Sequence, residues 1–276
     1  REILFKKKFI KHRIFFMLKQ IQELLEYREV LITLIIRDLK VRYKQTVISV
    51  VWAILQPVFM MIIFTVLFNR FTNISSEGVP YFIFCLTALI QWTFFSNCMN
   101  MAITSLIDNE TLITKIYFPR IVLPLSAICT MMVDFSIASL LYFLIVFYTG
   151  IKMTPLMLLG IPILVMQLLL TCGLVFFVSA LNVFYRDVKY IIPFLLQVGM
   201  FATPIVYSVD MISAERKFIY MLNPMAGIID GYRKIFLLGT MPNYQYTIVA
   251  FFVSLVIFFI GYIYFKFVEK HFADVI

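Results

Sequence analysis

Charge is the first thing missing. Asp, Glu, Lys and Arg make up 14% of the 276 residues and apolar residues 62%, whereas a soluble domain carries about 25% charged residues. That deficit, with a mean hydropathy of +0.95, excludes an ordinary water-soluble domain and leaves a polytopic membrane protein. The phosphate loop G-x-x-x-x-G-K-[ST] is missing too. None of the 9 glycines is followed by lysine, so ATP binding by that route is excluded. H-E-x-x-H, G-x-S-x-G and clustered carboxylate pairs are absent, so neither a catalytic residue nor a metal is expected in this chain. His12 and His271 sit in charged stretches far apart. Cys85, Cys98, Cys129 and Cys172 lie in apolar runs without a C-x-x-C pair and read as small packing residues. The stretch REILFKKKFIKHRIFFMLKQ has no continuous apolar core, so a cleavable signal peptide is not expected. No repeat of fixed period and no low-complexity linker is visible.

What the chain has is apolar runs. Six of them, at about 47–68, 81–103, 122–147, 156–180, 190–207 and 246–266, approach the ~20 residues that a ~30 Å hydrocarbon core needs. Before them, 20–45 has helical periodicity on one side: Leu31, Ile32, Ile35, Ile36 and Leu39 share a stripe, and Glu29, Thr33, Arg37, Lys40 and Lys44 fall elsewhere. Such a helix lies in the membrane interface or packs on a soluble partner. Asp38 and Arg42 stand one turn apart and can pair. The expected fold is therefore all-α and polytopic. An N-terminal tail and amphipathic interface helix occupy 1–46, and a six-helix transmembrane domain occupies 47–276.

Half of the 24 Lys and Arg fall in 1–46. A basic arm can bind nucleic acid, but anionic headgroups and topology account for it more simply, and no nucleic-acid partner is expected. With the N-terminus inside, 18 basic residues lie inside, and only Arg70, Lys152, Arg216, Lys217, Arg233 and Lys234 lie outside. Both termini are then cytoplasmic. The basic residues before Gln20 receive no role.

Three stretches carry local signals. In 104–121, Asp108 or Asn109 can cap a short helix with Glu110 and Thr111 in its first turn, Lys115 near its end and Pro119 as its stop. Pro119 and Arg120 join that helix to the third span. In 181–208, LNVFYRDVKY reads as a short wet turn around Arg186 and Asp187, which can pair. A 17-residue uncharged run from Ile191 to Tyr207 follows, broken by Pro193 and Pro204. Backbone freed by proline in hydrocarbon must find partners within the protein. In 209–245, Asn223 caps and Pro224 opens a helix that ends at Gly239. Its apolar stripe of Ile228, Ile229, Tyr232, Ile235 and Phe236 suits an element that dips into the membrane and returns. Asp134, the acidic residue well inside a span, reads either as an ion or proton site or as a hydrogen-bonded helix-packing residue. No second ionisable residue is expected at its depth. The amides Gln91, Asn97 and Asn100 line an interior or bond neighbouring helices.

Taken in order, IIRDLKVRYKQT, VVWAILQPVFMMIIFTVLF, LITKIYFPR, LNVFYRDV, TPIVYS, NPM and FADVI resemble the permease subunit of type-2 ATP-binding-cassette exporters of cell-surface polysaccharides, the O-antigen, teichoic-acid and capsule group. The resemblance runs from about Leu31 to the end, and LNVFYRDV and LITKIYFPR carry most of it. It implies a homodimer in the cytoplasmic (inner) membrane of a bacterium, with membrane lipids around it and two copies of a cytoplasmic ATPase subunit beneath. ATP and Mg would be bound by that partner, with no cofactor in this chain. It places 111–120 near the ATPase and turns the piece after Tyr207 into short re-entrant gate helices between the fifth and sixth spans, with Pro204, Asn223 and Pro224 at the outer gate. It implies a lipid-linked polysaccharide as cargo.

A polysaccharide needs a wet path that does not grip, and aromatic rings stack on sugars without demanding one hydrogen-bond pattern. Candidate path residues are Tyr81, Phe84, Trp92, Phe95, Tyr142, Phe201 and Tyr207; Trp and Tyr also gather at membrane edges for other reasons. Candidate coupling residues are Asn109, Glu110, Thr111, Lys115, Arg120, Arg186 and Asp187, with Arg37, Asp38 and Arg42 on the interface helix. Two other readings remain: an exporter permease for a small hydrophobic drug or haem, and a membrane-embedded transferase on lipid-linked sugars.

Overall fold

A computed structural model describes residues 22, 25–44, 48–69, 78–152 and 154–275. Every regular element among them is helical. The basic stretch before residue 22 and the loop carrying Arg70 lie outside the described residues. Helix α1 is Arg28–Tyr43 and α2 is Ile48–Phe64, extended by a wide turn at Thr65–Asn69. Then come α3, Tyr81–Thr104, and the short α4, Glu110–Lys115. Helix α5 spans Val122–Tyr148, and α6 spans Gly160–Phe184 after a tight turn at Pro155–Leu159. Helix α7 covers only Val188–Ala202. Two helices follow, α8 at Ala214–Met221 and α9 at Pro224–Arg233. The chain closes with α10, Tyr244–Val268, and α11, Phe272–Val275.

Five stretches among the described residues are long and apolar enough to cross a membrane: Val51–Phe68, Tyr81–Thr104, Val122–Tyr148, Pro155–Phe184 and Tyr244–Val275. The expected fifth span is shorter than the pattern suggested. Its helix has 15 residues, about 22 Å at 1.5 Å per residue, and stops at Ala202. Thr203 is extended, with φ −106° and ψ 145°, because a residue before proline is disfavoured in the α region. Residues 203–206 continue without helix and are buried. The first part of the same stretch also differs: 181–184 belong to α6, and only 185–187 form the turn.

The ordering of the bundle inverts a soluble core. Helix α3 has the lowest mean hydropathy of the five, 1.5, yet 78% of its membrane window is buried; α10, at 2.6, is only 22% buried. Lipid is as apolar as leucine, so apolarity marks the face toward lipid, while small and polar residues mark helix–helix contact. Helix α6 packs along α10 at Gly173 and Gly261. A Cβ on Gly261 would fall 1.9 Å from the Gly173 carbonyl oxygen, so two backbones meet where no side chain fits.

Helix α1 leans on α5 along one side and leaves part of its apolar stripe uncovered. Leu34 is buried, and Val30 and Leu31 pack beside it, while Ile32 and Ile36 are about half exposed at 51% and 45%. The face carrying Asp38 and Arg42 thereby turns toward the bundle.

Candidate functional site

Helices α1, α4 and α11 gather at one end of the bundle, here the near end. The segment from 203 to 238 forms the far end. Polar side chains concentrate at both.

At the near end, α4 is held by its neighbours rather than by a cap. Asn109 stands at the N-cap position but accepts nothing from the helix. Its Nδ2 donates to the Ser105 carbonyl at 2.8 Å, and its Oδ1 accepts from Arg37 Nη1 at 2.7 Å. Asn109 is thus the joint between α1 and the α3–α4 corner. The helix ends at Lys115, where Ile116 turns extended at φ −128°, four residues ahead of the Pro119 expected to stop it. Ile113 and Phe118 are buried anchors; Glu110, Thr111, Lys115, Ile116 and Tyr117 are exposed, Tyr117 at 83%. Arg120 closes the corner: its backbone N–H donates to Glu269 Oε1 at 2.9 Å, and its guanidinium donates to the Glu269 carbonyl. Lys266 holds the same carboxylate at 2.8 Å. Between 113–120 and the Lys266–Ala273 side lies an open cleft of about 620 Å³. Arg186 and Asp187 are exposed and unpaired with each other. Asp187 instead accepts from the Tyr190 and Ile191 amides through its backbone carbonyl, and no bond joins this turn to α4.

The ion pairs of α1 are rearranged relative to the expected Asp38–Arg42 pair. Asp38 pairs with Arg37 at 2.8 Å, and Arg42 reaches Asp134 at 2.6 Å. Asp134 is 6% exposed, and the Tyr43 hydroxyl also donates to it. Burial, then the Asp134 hydrogen bond, push the Tyr43 phenol up to about 12. Asp134 therefore has an ionisable partner, contrary to expectation. Helix α1 supplies it, and the sequence separation of 91 residues between Tyr43 and Asp134 hid it. These bonds tie α1 to α5 through Asp134.

At the far end, Arg233 is 2% exposed, although charge counting had placed it in an outside loop. It donates to the carbonyls of Pro204 at 2.6 Å, Ile205 at 2.6 Å, Tyr207 at 3.2 Å and Phe84 at 3.3 Å. Its guanidinium lies 3.5 Å from the centre of the Phe84 ring, a cation–π arrangement. The carbonyls freed where α7 breaks are thus collected by one fork of donors. Tyr81 adds a bond to the Val206 carbonyl at 2.8 Å. Asn223 caps α9 as expected, its Oδ1 accepting from Met225 N at 3.1 Å, and its Nδ2 donates to Thr203 Oγ1 at 3.0 Å. Pro224 is at the first helical position. Gly239 ends the element in the left-handed region at φ 61°. Helix α9 is buried between α3, α6 and α10, and Lys234 pairs with Asp230 at 3.2 Å. The hydroxyls of Tyr207 and Tyr220 meet. Further out, Lys217 pairs with Asp210 at 2.7 Å, and that bond holds the Asp210 carboxyl below its ordinary range and raises Lys217.

Most of the expected path aromatics are buried within the single chain. Tyr81, Phe84, Trp92, Phe95 and Tyr142 are buried, at 4%, 1%, 7%, 6% and 6%. Tyr81 and Phe84 belong to the Arg233 arrangement, and Tyr142 lies 3.0 Å from the Thr87 hydroxyl. Phe201 is 55% exposed, and Tyr207 is partly so. Of the amides, Gln91 is buried and Asn100 exposed. Arg233, Glu269 and the Arg42–Asp134 pair were missed in the sequence. A basic residue inside an apolar stripe, as at 233, was the one available signal.

The described residues thus form a multi-span helical bundle with an anchored charged corner at one end and a buried short helix, α9, at the other. The family described as ABC-2 type transporter matches residues 29–237, from α1 through the turn after α9, and the chain belongs to that family. It is 29% identical to the O-antigen export system permease protein RfbA of Myxococcus xanthus, over 94% of this chain and 99% of the relative. It is 29% and 30% identical to two proteins of the same name from Klebsiella pneumoniae, each over 90% of this chain and 95% of the relative.

Proposed function

We propose that the chain is the membrane subunit of a bacterial exporter that moves a lipid-linked polysaccharide, O-antigen first and teichoic acid or capsule next, across the cytoplasmic membrane. The observation that carries this is the pairing of two differently built ends in a chain whose relatives are O-antigen export permeases. In this reading the near end is cytoplasmic and the far end faces outward. Helix α1 lies in the inner interface, with Ile32 and Ile36 toward lipid. Helix α7 serves as the fifth of six crossings, completed by the 203–238 segment.

The chain acts as a transport subunit. A separate ATPase, binding ATP and Mg, docks on the exposed face of α4, where Glu110, Thr111, Lys115, Ile116 and Tyr117 stand free of the bundle. A push on α4 is not absorbed by a floppy loop, because Asn109, Ile113 and Phe118 clamp the corner and Arg120 carries it to α5 and α10. Two copies of the chain enclose the path. The buried candidates Tyr81, Phe84, Trp92, Phe95 and Tyr142 then shape the wall from behind.

Glu110→Arg with Lys115→Glu tests the reading. Both side chains are exposed, so the variant should reach the membrane at the normal level. It should lose ATPase co-purification, or hydrolyse ATP without placing glycan on the cell surface. Wild-type co-purification and wild-type surface glycan together would remove α4 as the coupling element and make α1 the next candidate.

A further inference from the structure

Behind the far-end segment lies a cavity of about 420 Å³ that the transport reading does not use. It sits where α5 and α6 part, against α3, with Tyr232 and Phe236 forming one wall. Tyr142, Phe143 and Phe236 meet edge to face, and Tyr232 stacks on Phe236 at 5.7 Å. Phe236 has no slack: a Cβ on Gly160 would stand 2.5 Å from its ring. The mouth is apolar and open. Phe143, Leu158 and Ile161 are 37%, 70% and 63% exposed, and all sit on spanning stretches.

The interior holds polar groups that lack partners. Gln91 is 6% exposed and lines the cavity, yet its Oε1 has no hydrogen bond; its backbone carbonyl accepts from Gln167 instead. Thr154 Oγ1, on the cavity rim, is also without a partner. A buried amide left unbonded costs about 1–3 kcal/mol, and native structures hold few such groups without a use. By the helical rise, Gln91 lies about 15 Å below the start of α3 and Thr87 about 9 Å below it. The cavity thus runs inward from the membrane edge, with one polar group at its rim and another at its deep end.

We propose that this cavity binds the hydrocarbon chain of a bilayer lipid, entering sideways between α5 and α6, with Thr154 at its ester end and the Gln91 amide reading a hydrogen-bonding group on the chain. The mouth opens through residues of membrane-spanning segments, so an occupant comes from the bilayer and not from water. The aromatic and aliphatic walls suit an aliphatic chain, and an amide that can donate and accept favours a hydroxylated chain over a plain one. Because Tyr232 and Phe236 form the wall, occupancy bears on the returning helix α9. That consequence rests on the export reading, whereas the binding itself does not.

The test uses the full chain in nanodiscs of phosphatidylethanolamine and phosphatidylglycerol, with phosphatidylethanolamine carrying a diazirine on a plain or a hydroxylated acyl chain. Crosslinks should concentrate on 135–143 and 157–164 over the lipid-facing positions Phe252 and Phe259 of α10. They should be stronger for the hydroxylated probe and fall roughly tenfold in Ser139→Trp, a change of about 1.4 kcal/mol. Where Ser139→Trp does not give a monodisperse protein, Leu164→Phe replaces it. Gln91→Leu separates a binding amide from a structural one: it should keep or raise the melting temperature while abolishing the preference for the hydroxylated probe. Labelling no denser than at Phe252 and Phe259, or labelling unchanged when the cavity is filled, overturns the proposal. A Gln91→Leu variant that keeps the hydroxyl preference overturns the role of Gln91. Surface glycan scored in the same variants reports on export separately.

Discussion

The near end and the far end are each held by arginine, in opposite ways. At the near end Arg37 and Arg42 reach side chains, Asn109 and Asp134, on other helices. At the far end Arg233 reaches four main-chain carbonyls and the face of Phe84. The difference follows from what each end must satisfy. At the near end most links between helices run from side chain to side chain, with Arg120 reaching the Glu269 carbonyl as well. At the far end a helix has been broken inside the bundle, and the orphaned carbonyls need donors that hydrocarbon cannot supply. Guanidinium, with five donors in a planar fork, fits that task as ammonium does not.

Removing Arg233 should sharpen the contrast most. Arg233→Ala strands several buried carbonyls at about 1–3 kcal/mol each, enough to consume much of a typical stability of about 5–15 kcal/mol. Little monodisperse protein should be recovered. Arg233→Lys should give an intermediate yield, because the charge stays but the fork is lost. Full recovery of Arg233→Ala by fluorescence-detected size exclusion would break the account of the far end.

Arg42→Ala should come next. Breaking a buried pair costs up to about 3–5 kcal/mol, and less here, because Arg42 is 36% exposed. If the cost is an unpaired carboxylate at Asp134, Arg42→Ala with Asp134→Asn should be more stable than Arg42→Ala alone. A double variant that melts no higher than the single would mean that Asp134 does not depend on Arg42.

The smallest effect belongs to the Asp210–Lys217 pair, whose carboxylate is 67% exposed; such pairs contribute about 0.2–1 kcal/mol. Lys217 lowers the folded-state pKa of Asp210, so this stabilisation is present above the ordinary carboxylate value and is lost as pH falls through the lowered one. The raised Lys217 keeps its share below the ordinary lysine value and loses it at alkaline pH. The melting temperatures of wild type and Lys217→Ala should therefore differ slightly at neutral pH and converge in acid. A gap that persists undiminished in acid would show that the difference does not come from the ion pair.

Local rules were readable without coordinates. The Asn223 cap, Pro224 at the first turn and Gly239 at the stop concern residues within a few positions of one another, and each stands where the pattern put it. The limits of α3, α5 and α10 agree with the apolar runs to within a few residues. Asn109 shows where such reading ends. As a local residue it is a cap; in the bundle, Arg37, 72 residues away, takes its oxygen, because a charge-assisted bond is stronger than a neutral one to a helix amide. Asp134 was legible as exceptional, and its partner was not. Helix α1 was legible as a helix, but its contact with the bundle through Val30, Leu31 and Leu34 was not.

Composition and hydropathy by themselves determined that this chain crosses a membrane many times and carries no phosphate loop, since bilayer thickness and backbone satisfaction act on every residue alike. Cap chemistry determined where α9 begins and ends. Only the tertiary structure decided which helix is central, since hydropathy ranks α10 above α3 while packing buries α3. It also decided that α7 stops at Ala202, that Arg233 is inside, and that α6 and α10 touch backbone to backbone at Gly173 and Gly261. Each of these rests on partners distant in sequence, and periodicity in one segment contains no record of what another segment leaves unsatisfied.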